Sequence, residues 1–195
     1  IIWAEAEFRL PGEYNAYNAA AAIALLDSIG IDKKAIIEGL RTFSGIRRRM
    51  ERVGETEGGI LIYDDFAHHP TAVAAAIRAV RESHPGRKIW ALFQPRSNTA
   101  VTNVFQREWR DAFGKADHAV IAELHRLEKI PPDRRLDREW IKSELAQRGV
   151  DCYLWQDADE ILEELPPRLR SGDIVLVMSN SDFQGLARRL FELID

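Results

Sequence analysis

Five short strand patterns, at residues 60–63, 88–93, 118–122, 150–154 and 174–178, each followed by a segment of helical periodicity, constrain this chain more than any other feature. The first of them, Ile60 to Tyr63, is an unbroken apolar run, the mark of a strand buried on both faces. The segments between them carry one-sided stripes: Val73, Ile77 and Val80; Phe105, Trp109 and Phe113; Trp140, Ile141 and Leu145; Ile161, Leu162 and Leu165; Phe183, Leu186, Leu190 and Ile194. Asp137 and Asp157 stand where helix caps belong, and Gly149 where a helix stops. Five consecutive strand–helix units predict an α/β fold with a doubly wound, mostly parallel sheet.

The first 44 residues have a different texture. Residues 1–12 read as the end of an extended segment closed by the turn pair Pro11-Gly12. The alanine-rich run from Asn18 to Ser28, preceded by Asn15 and stopped by Gly30, is a strong helix former. Asp32 is the predicted cap of a second helix with Ile36, Ile37, Leu40 and Phe43 on one side. No strands alternate with these helices, so residues 1–44 read as the end of a preceding domain and residues 45–195 as the α/β domain. Gly45 to Arg52 reads as a basic linker with four arginines. Because the first residue is Ile1, the chain is expected to begin inside a longer protein.

Chemistry concentrates where strands end. The first run is followed by Asp64, Asp65, His68 and His69, and Pro70 opens the next helical pattern, where its missing N–H costs nothing. Open α/β sheets bind ligands at the carboxyl ends of their strands. The second run ends in Gln94-Pro95-Arg96-Ser97-Asn98-Thr99, in which Arg96 can grip a carboxylate with two parallel hydrogen bonds. The last ends in Ser179-Asn180-Ser181-Asp182. Taken singly, each group equally fits turn, cap or solvated-loop chemistry. No complete phosphate loop is present, since Gly114-Lys115 lacks both the upstream glycine and the following Ser or Thr.

Composition narrows the partners. Lys and Arg number 27 against 31 Asp and Glu, which argues against a nucleic-acid binder and toward small molecules. The single cysteine, Cys152, excludes an intrachain disulfide and a cysteine-based zinc site, in keeping with a reducing cytoplasm. No stretch approaches the roughly 18 apolar residues of a membrane span.

Three blocks, in order, resemble those of the bacterial Mur ligases, which build the peptidoglycan precursor. Gly12-Glu13-Tyr14-Asn15-Ala16-Tyr17-Asn18 is similar to the motif ending their central ATPase domain, with Tyr14 where a His is usual; Arg48-Arg49-Met50-Glu51 is similar to their linker motif, and Asp64 to Thr71 to their first C-terminal strand end. The resemblance implies a Rossmann-like C-terminal domain at 45–195 after the end of the ATP-binding domain at 1–44. It further implies that Asn15, Asn18, Arg49, Asp64 and His68 serve the nucleotide, and that Arg96, Ser97, Asn98, Ser179 and Asn180 line a peptide pocket. No catalytic residue and no metal ligand is assigned within the chain. ATP and Mg2+ are expected to be held mainly by a part of the protein outside this sequence. Within the family, the blocks at 63–72, 95–99 and 177–180 most resemble members that join murein tripeptide, L-Ala-γ-D-Glu-meso-diaminopimelate, to UDP-N-acetylmuramate through an acyl phosphate in peptidoglycan recycling. Ligation of L-alanine to UDP-N-acetylmuramate is the alternative. The chain alone is expected to be inactive.

Two readings from other classes fit parts of the sequence. A phosphoacceptor receiver domain also has five strand–helix units, but it needs a Lys after its last strand, and none follows here. A metal hydrolase could use Asp64, Asp65, His68 and His69, leaving the Asn and Arg blocks without a role.

Overall fold

The protein is described by a computed structural model covering residues 5–6, 10–125 and 127–195. Most of the extended segment expected at 1–12 lies outside the described residues. Two helices come first, α1 (Glu13–Ser28) and α2 (Lys33–Thr42). Then follow β1 (Glu51–Glu55), β2 (Leu61–Asp65), α3 (Pro70–Ser83), β3 (Ile89–Phe93), α4 (Gln106–Phe113), β4 (His118–Ile121), α5 (Arg138–Ala146), β5 (Asp151–Tyr153), α6 (Ala158–Glu164), β6 (Ile174–Met178) and α7 (Leu186–Ile194).

The strands form one sheet in the order β1-β2-β6-β3-β4-β5, parallel throughout except for β1, which runs antiparallel to β2. It is a mostly parallel α/β sheet of the Rossmann-like kind. Period-two alternation divides its core. Leu61, Tyr63, Ala91, Phe93, Ile121, Leu176 and Met178 face the layer of α3, α4 and α5, while Ile62, Trp90, Leu92, Val120, Val175 and Val177 face α6 and α7. The chain winds outward through β3, β4 and β5 on one face, then returns through α6 on the other to lay β6 between β2 and β3. Right-handed crossovers require that change of face when the direction of winding reverses. Helices therefore leave β6 and its two neighbours on opposite faces, which opens a crevice at their carboxyl ends.

The expected caps are in place: Asp32 accepts from Lys34 N and Ala35 N, Asp137 from Trp140 N, and Asp157 from Asp159 N and Glu160 N. Three expectations need correction. The linker expected at 45–52 becomes β1 from Glu51 onward, an edge strand with a bulge between Arg52 and Gly54. Its sequence hides it because Val53 is its one apolar side chain; Gly54 matters instead, since a Cβ there would lie 2.4 Å from the Phe191 ring of α7. Secondly, α1 begins at Glu13 rather than near Asn18, so Asn15 and Asn18 occupy its first two turns. Thirdly, Phe183 precedes the final helix: Phe183, Gln184 and Gly185 take positive φ of 48°, 55° and 72°, and the buried Phe183 ring packs from that left-handed turn.

Candidate functional site

The carboxyl end of β2 explains the adjacent carboxylates. The strand continues through both of them, pairing Asp64 with Val177 and Asp65 with Met178 of β6, so their side chains leave on opposite faces. Asp65 is buried, and its carboxylate accepts from Met50 N and Ala67 N, each at 2.7 Å. Asp64 sits 3.3 Å from Nε of Arg48. Burial pushes both carboxyls above the ordinary carboxylate range; Arg48 pulls Asp64 back, and the two backbone N–H groups, then Arg49 and Arg48, pull Asp65 back.

His68 and His69 do not converge with these acids. His68 Nδ1 lies 2.8 Å from the Phe66 carbonyl, and His69 caps α3 through Thr71 N while its ring meets Phe105 edge-on. Among the described residues no three His, Cys, Asp or Glu side chains gather as metal ligands would. The metal-hydrolase reading therefore loses its cluster. What does gather is a set of groups around the Phe66 ring: His68 edge-on at 5.1 Å, with the Arg48 and Arg49 guanidinium groups at 5.4 and 5.8 Å from its centroid.

The two arginines differ in what they leave free. Arg48 Nη2 donates to the carbonyl of Ser179 at 2.6 Å and to that of Ser181, and its backbone, at φ 57°, donates to Glu51 and accepts from Phe66 N. Arg49 is exposed and lines a cleft of about 640 Å³ between α1 and α2, together with Tyr14, Asn15, Asn18, Ile36 and Phe43. Three of the five candidate nucleotide residues thus share one cleft, while Asp64 and His68 do not line it. Asn15 is buried and its Nδ2 donates to the Pro11 carbonyl at 2.7 Å; Asn18 is exposed one turn on. Burial, with the Asp65 charge beside it, raises the Tyr14 hydroxyl well above the usual phenol range.

On the other side of Arg48, the loops after β3 and β6 meet. Arg96 is exposed, with Nη1 3.4 Å from Ser181 Oγ, and Asn98 is exposed as well. Ser97 Oγ accepts from Ala100 N and so holds its own turn. Ser179 is fully buried, which differs from the pocket-lining place expected of it: its hydroxyl donates to Gln94 Oε1 at 2.9 Å and its carbonyl serves Arg48. Asn180, half-buried, follows it on the rim. The hub here is Gln94, 3% exposed, whose Oε1 also accepts from Ser181 Oγ at 2.8 Å and whose Nε2 lies 3.2 Å from His125 Nε2. Sequence reasoning assigned no role to Gln94, Ser181 or Phe66, and placed Arg48 only within a basic linker. A Gln between a buried strand and a proline looks like any loop residue, and nothing in Arg48-Arg49 tells which is locked.

The chain matches the family described as Mur ligase, glutamate ligase domain, over residues 48–181. It is 36% identical over 193 residues to a UDP-N-acetylmuramate–L-alanine ligase of Thermobifida fusca, covering 95% of this chain and 40% of that protein. Two solved structures superpose on it. A murein peptide ligase from Psychrobacter arcticus does so with TM-score 0.71 at 30% identity, covering 97% of this chain and 38% of that one. A UDP-N-acetylmuramate-alanine ligase from Thermotoga maritima reaches TM-score 0.79 at 26% identity, covering 97% and 40%. The chain spans about 40% of the length of these relatives. With a family match across most of its length and a sheet to go with it, this chain belongs to the Mur ligase family.

Proposed function

We propose that this chain is the acceptor-binding and nucleotide-closing part of an ATP-dependent ligase that joins murein tripeptide to UDP-N-acetylmuramate. Residues 45–195 are its C-terminal domain and residues 1–44 the end of its ATP-binding domain. The observation that carries the reading is the exposed Arg96 guanidinium at the carboxyl end of β3, beside the loop after β6, in the crevice where such sheets take ligands. A planar, permanent cation there suits a peptide carboxylate.

ATP supplies the phosphoryl group that activates the muramate carboxylate, and magnesium offsets the phosphate charge. The cleft between α1 and α2 suits a planar base, with apolar walls and the amide of Asn18 at its edge. Arg49, exposed at the mouth of that cleft, supplies a cation on the linker side. Arg96, with Ser97, Asn98 and Asn180 around it, orients the tripeptide so that its amine reaches the activated carboxyl carbon. Positioning of this kind is the main service a ligase of this class renders.

A second reading, ligation of L-alanine, is favoured by the name of the relative from Thermobifida fusca. The test is a competition assay with the full-length protein, ATP, UDP-N-acetylmuramate, and tripeptide and L-alanine together. Preferential amide formation with tripeptide supports the proposal, and preference for L-alanine replaces it with the second reading. Arg96→Ala should then raise the KM for tripeptide about ten- to a hundredfold, as loss of a charge-assisted contact of about 1.5–3 kcal/mol requires. The KM for ATP should hold, and Arg96→Lys should fall between, because it keeps the charge but not the fork.

A further inference from the structure

Arg48 stands between the two halves of the site and does not line the cleft between α1 and α2. Its guanidinium spans the carbonyls of Ser179 and Ser181 and the Asp64 carboxylate, while its backbone closes on Glu51 and Phe66. A single side chain thereby ties the linker before β1 to the ends of β2 and β6. From Ser181 the connection continues. Ser181 Oγ donates to Gln94 Oε1 and is the one neighbour within hydrogen-bond reach of the Arg96 head group among the described residues. Ser179 Oγ makes the second contact to the same Gln94 oxygen, and Ser181 N donates to Ser179 Oγ at 3.0 Å. Arg48 Nη2, the Ser179 and Ser181 hydroxyls and Gln94 Oε1 are each hydrogen-bonded along this route, while the buried Arg48 Nε has only its ion pair with Asp64, so a shift of the Arg48 side chain is felt at Ser179 and Ser181.

We propose that Arg48 is a positioning residue, coupling the linker to the acceptor loop through Ser181 and Gln94 so that the seating of the linker sets where Arg96 stands. The inference rests on the reading of Arg96 as acceptor anchor only for its kinetic consequence. The coupling itself is a property of this chain. Lys at position 48 keeps a charge for Asp64 but lacks the planar fork that reaches two carbonyls at once. Ser181→Ala leaves the Arg48 carbonyl contacts in place and cuts the route one step further on.

Hydrogen exchange tests the coupling independently of activity. In the full-length protein, Arg48→Lys should speed amide exchange at 45–52 and also at residues 94–101 and 179–185, with the central amides of β3, β4 and β6 unchanged. Faster exchange confined to 45–52 would overturn the proposal, as would a uniform rise across the sheet, which would mark a general loss of stability. In the active enzyme, Arg48→Lys should raise the tripeptide KM about tenfold and Ser181→Ala about threefold, with kcat and the KM for ATP nearly constant. The double variant should be no worse than Arg48→Lys alone, since both cut one route; multiplying effects would overturn the route. If exchange spreads as expected while no tripeptide KM moves, the coupling stands and the assignment of Arg96 as acceptor anchor falls.

Discussion

The helical pair α1–α2 and the sheet domain obey different rules of burial. In α3 six residues are buried; α1 and α2 together bury Asn15 and Ile36. Of the eight large apolar side chains most exposed among the described residues, six lie between Tyr17 and Ile46: Tyr17, Leu25, Ile29, Ile31, Phe43 and Ile46. The sheet domain closes a core on both faces and has the means to fold from its own residues. The pair has one capping side chain, Asp32, and helix-forming alanines but no core, and it leans on the domain through Gly12, against Ala79 of α3, and Tyr14. Helices of 16 and 10 residues are marginal on local propensity and need packing to hold them, and here much of that packing surface is left bare. The proposed membership of 1–44 in a larger ATP-binding domain accounts for the exposure.

Three measurements break or sharpen that contrast. The largest effect is expected at Trp109, fully buried in α4 and stacked with Phe113 against Phe93. Trp109→Ala should cost about 3–5 kcal/mol in denaturant unfolding. A loss below about 1 kcal/mol would mean that the core on that face is not what holds the domain.

Next is Asp117, just before β4. Burial raises its pKa, but the Arg81 hydrogen bond at 2.5 Å and the Ile89 N–H outweigh that and hold the carboxyl below its ordinary 3.8. A carboxyl depressed in the folded state stabilises above its unfolded value, and that contribution is lost as pH falls through the folded one. Asp117→Asn should therefore lower Tm by about 2–4 °C near neutrality, and the gap from the parent should close as pH falls through the depressed folded value. A gap independent of pH would remove the charge from the explanation. The smallest effect is expected in the helical pair, where Leu25→Ser, at a side chain 64% exposed, should change stability by no more than about 0.5 kcal/mol. A loss of 2 kcal/mol or so there would show that the pair carries a core after all.

Legibility in the sequence followed burial as well. Parallel strands covered on both faces must be continuous apolar runs, and the runs predicted at 88–93, 118–122 and 174–178 match β3, β4 and β6 within a residue at either end. Strand order was not legible, because no local pattern tells that the last strand inserts between the first two of the parallel set. Nor was β1, whose stability comes from pairing with β2 and from Phe191 seated over Gly54 rather than from its own side chains. At the site, the residue types were readable and their states were not. Arg48 and Arg49 are identical in type and adjacent, yet one is spent on carbonyls and the other exposed, a distinction made by residues some 130 positions away. Ser179 was legible as polar at a strand end; its burial depends on Gln94, 85 residues earlier.

The insertion of β6 between β2 and β3 also orders events during synthesis. Leu61 to Asp65 pair in parallel with Ile174 to Met178, and Ile89 to Phe93 pair with the same five residues from the other side. Until residue 178 has left the ribosome, β2 and β3 have no shared neighbour, and more than a hundred residues of translated chain wait with two strand edges bare. Closure of so long a loop before its reward makes the last step slow and the nascent chain sticky. The same late strand brings Ser179 and Ser181, so the polar network at the rim can assemble only as the sheet itself is completed.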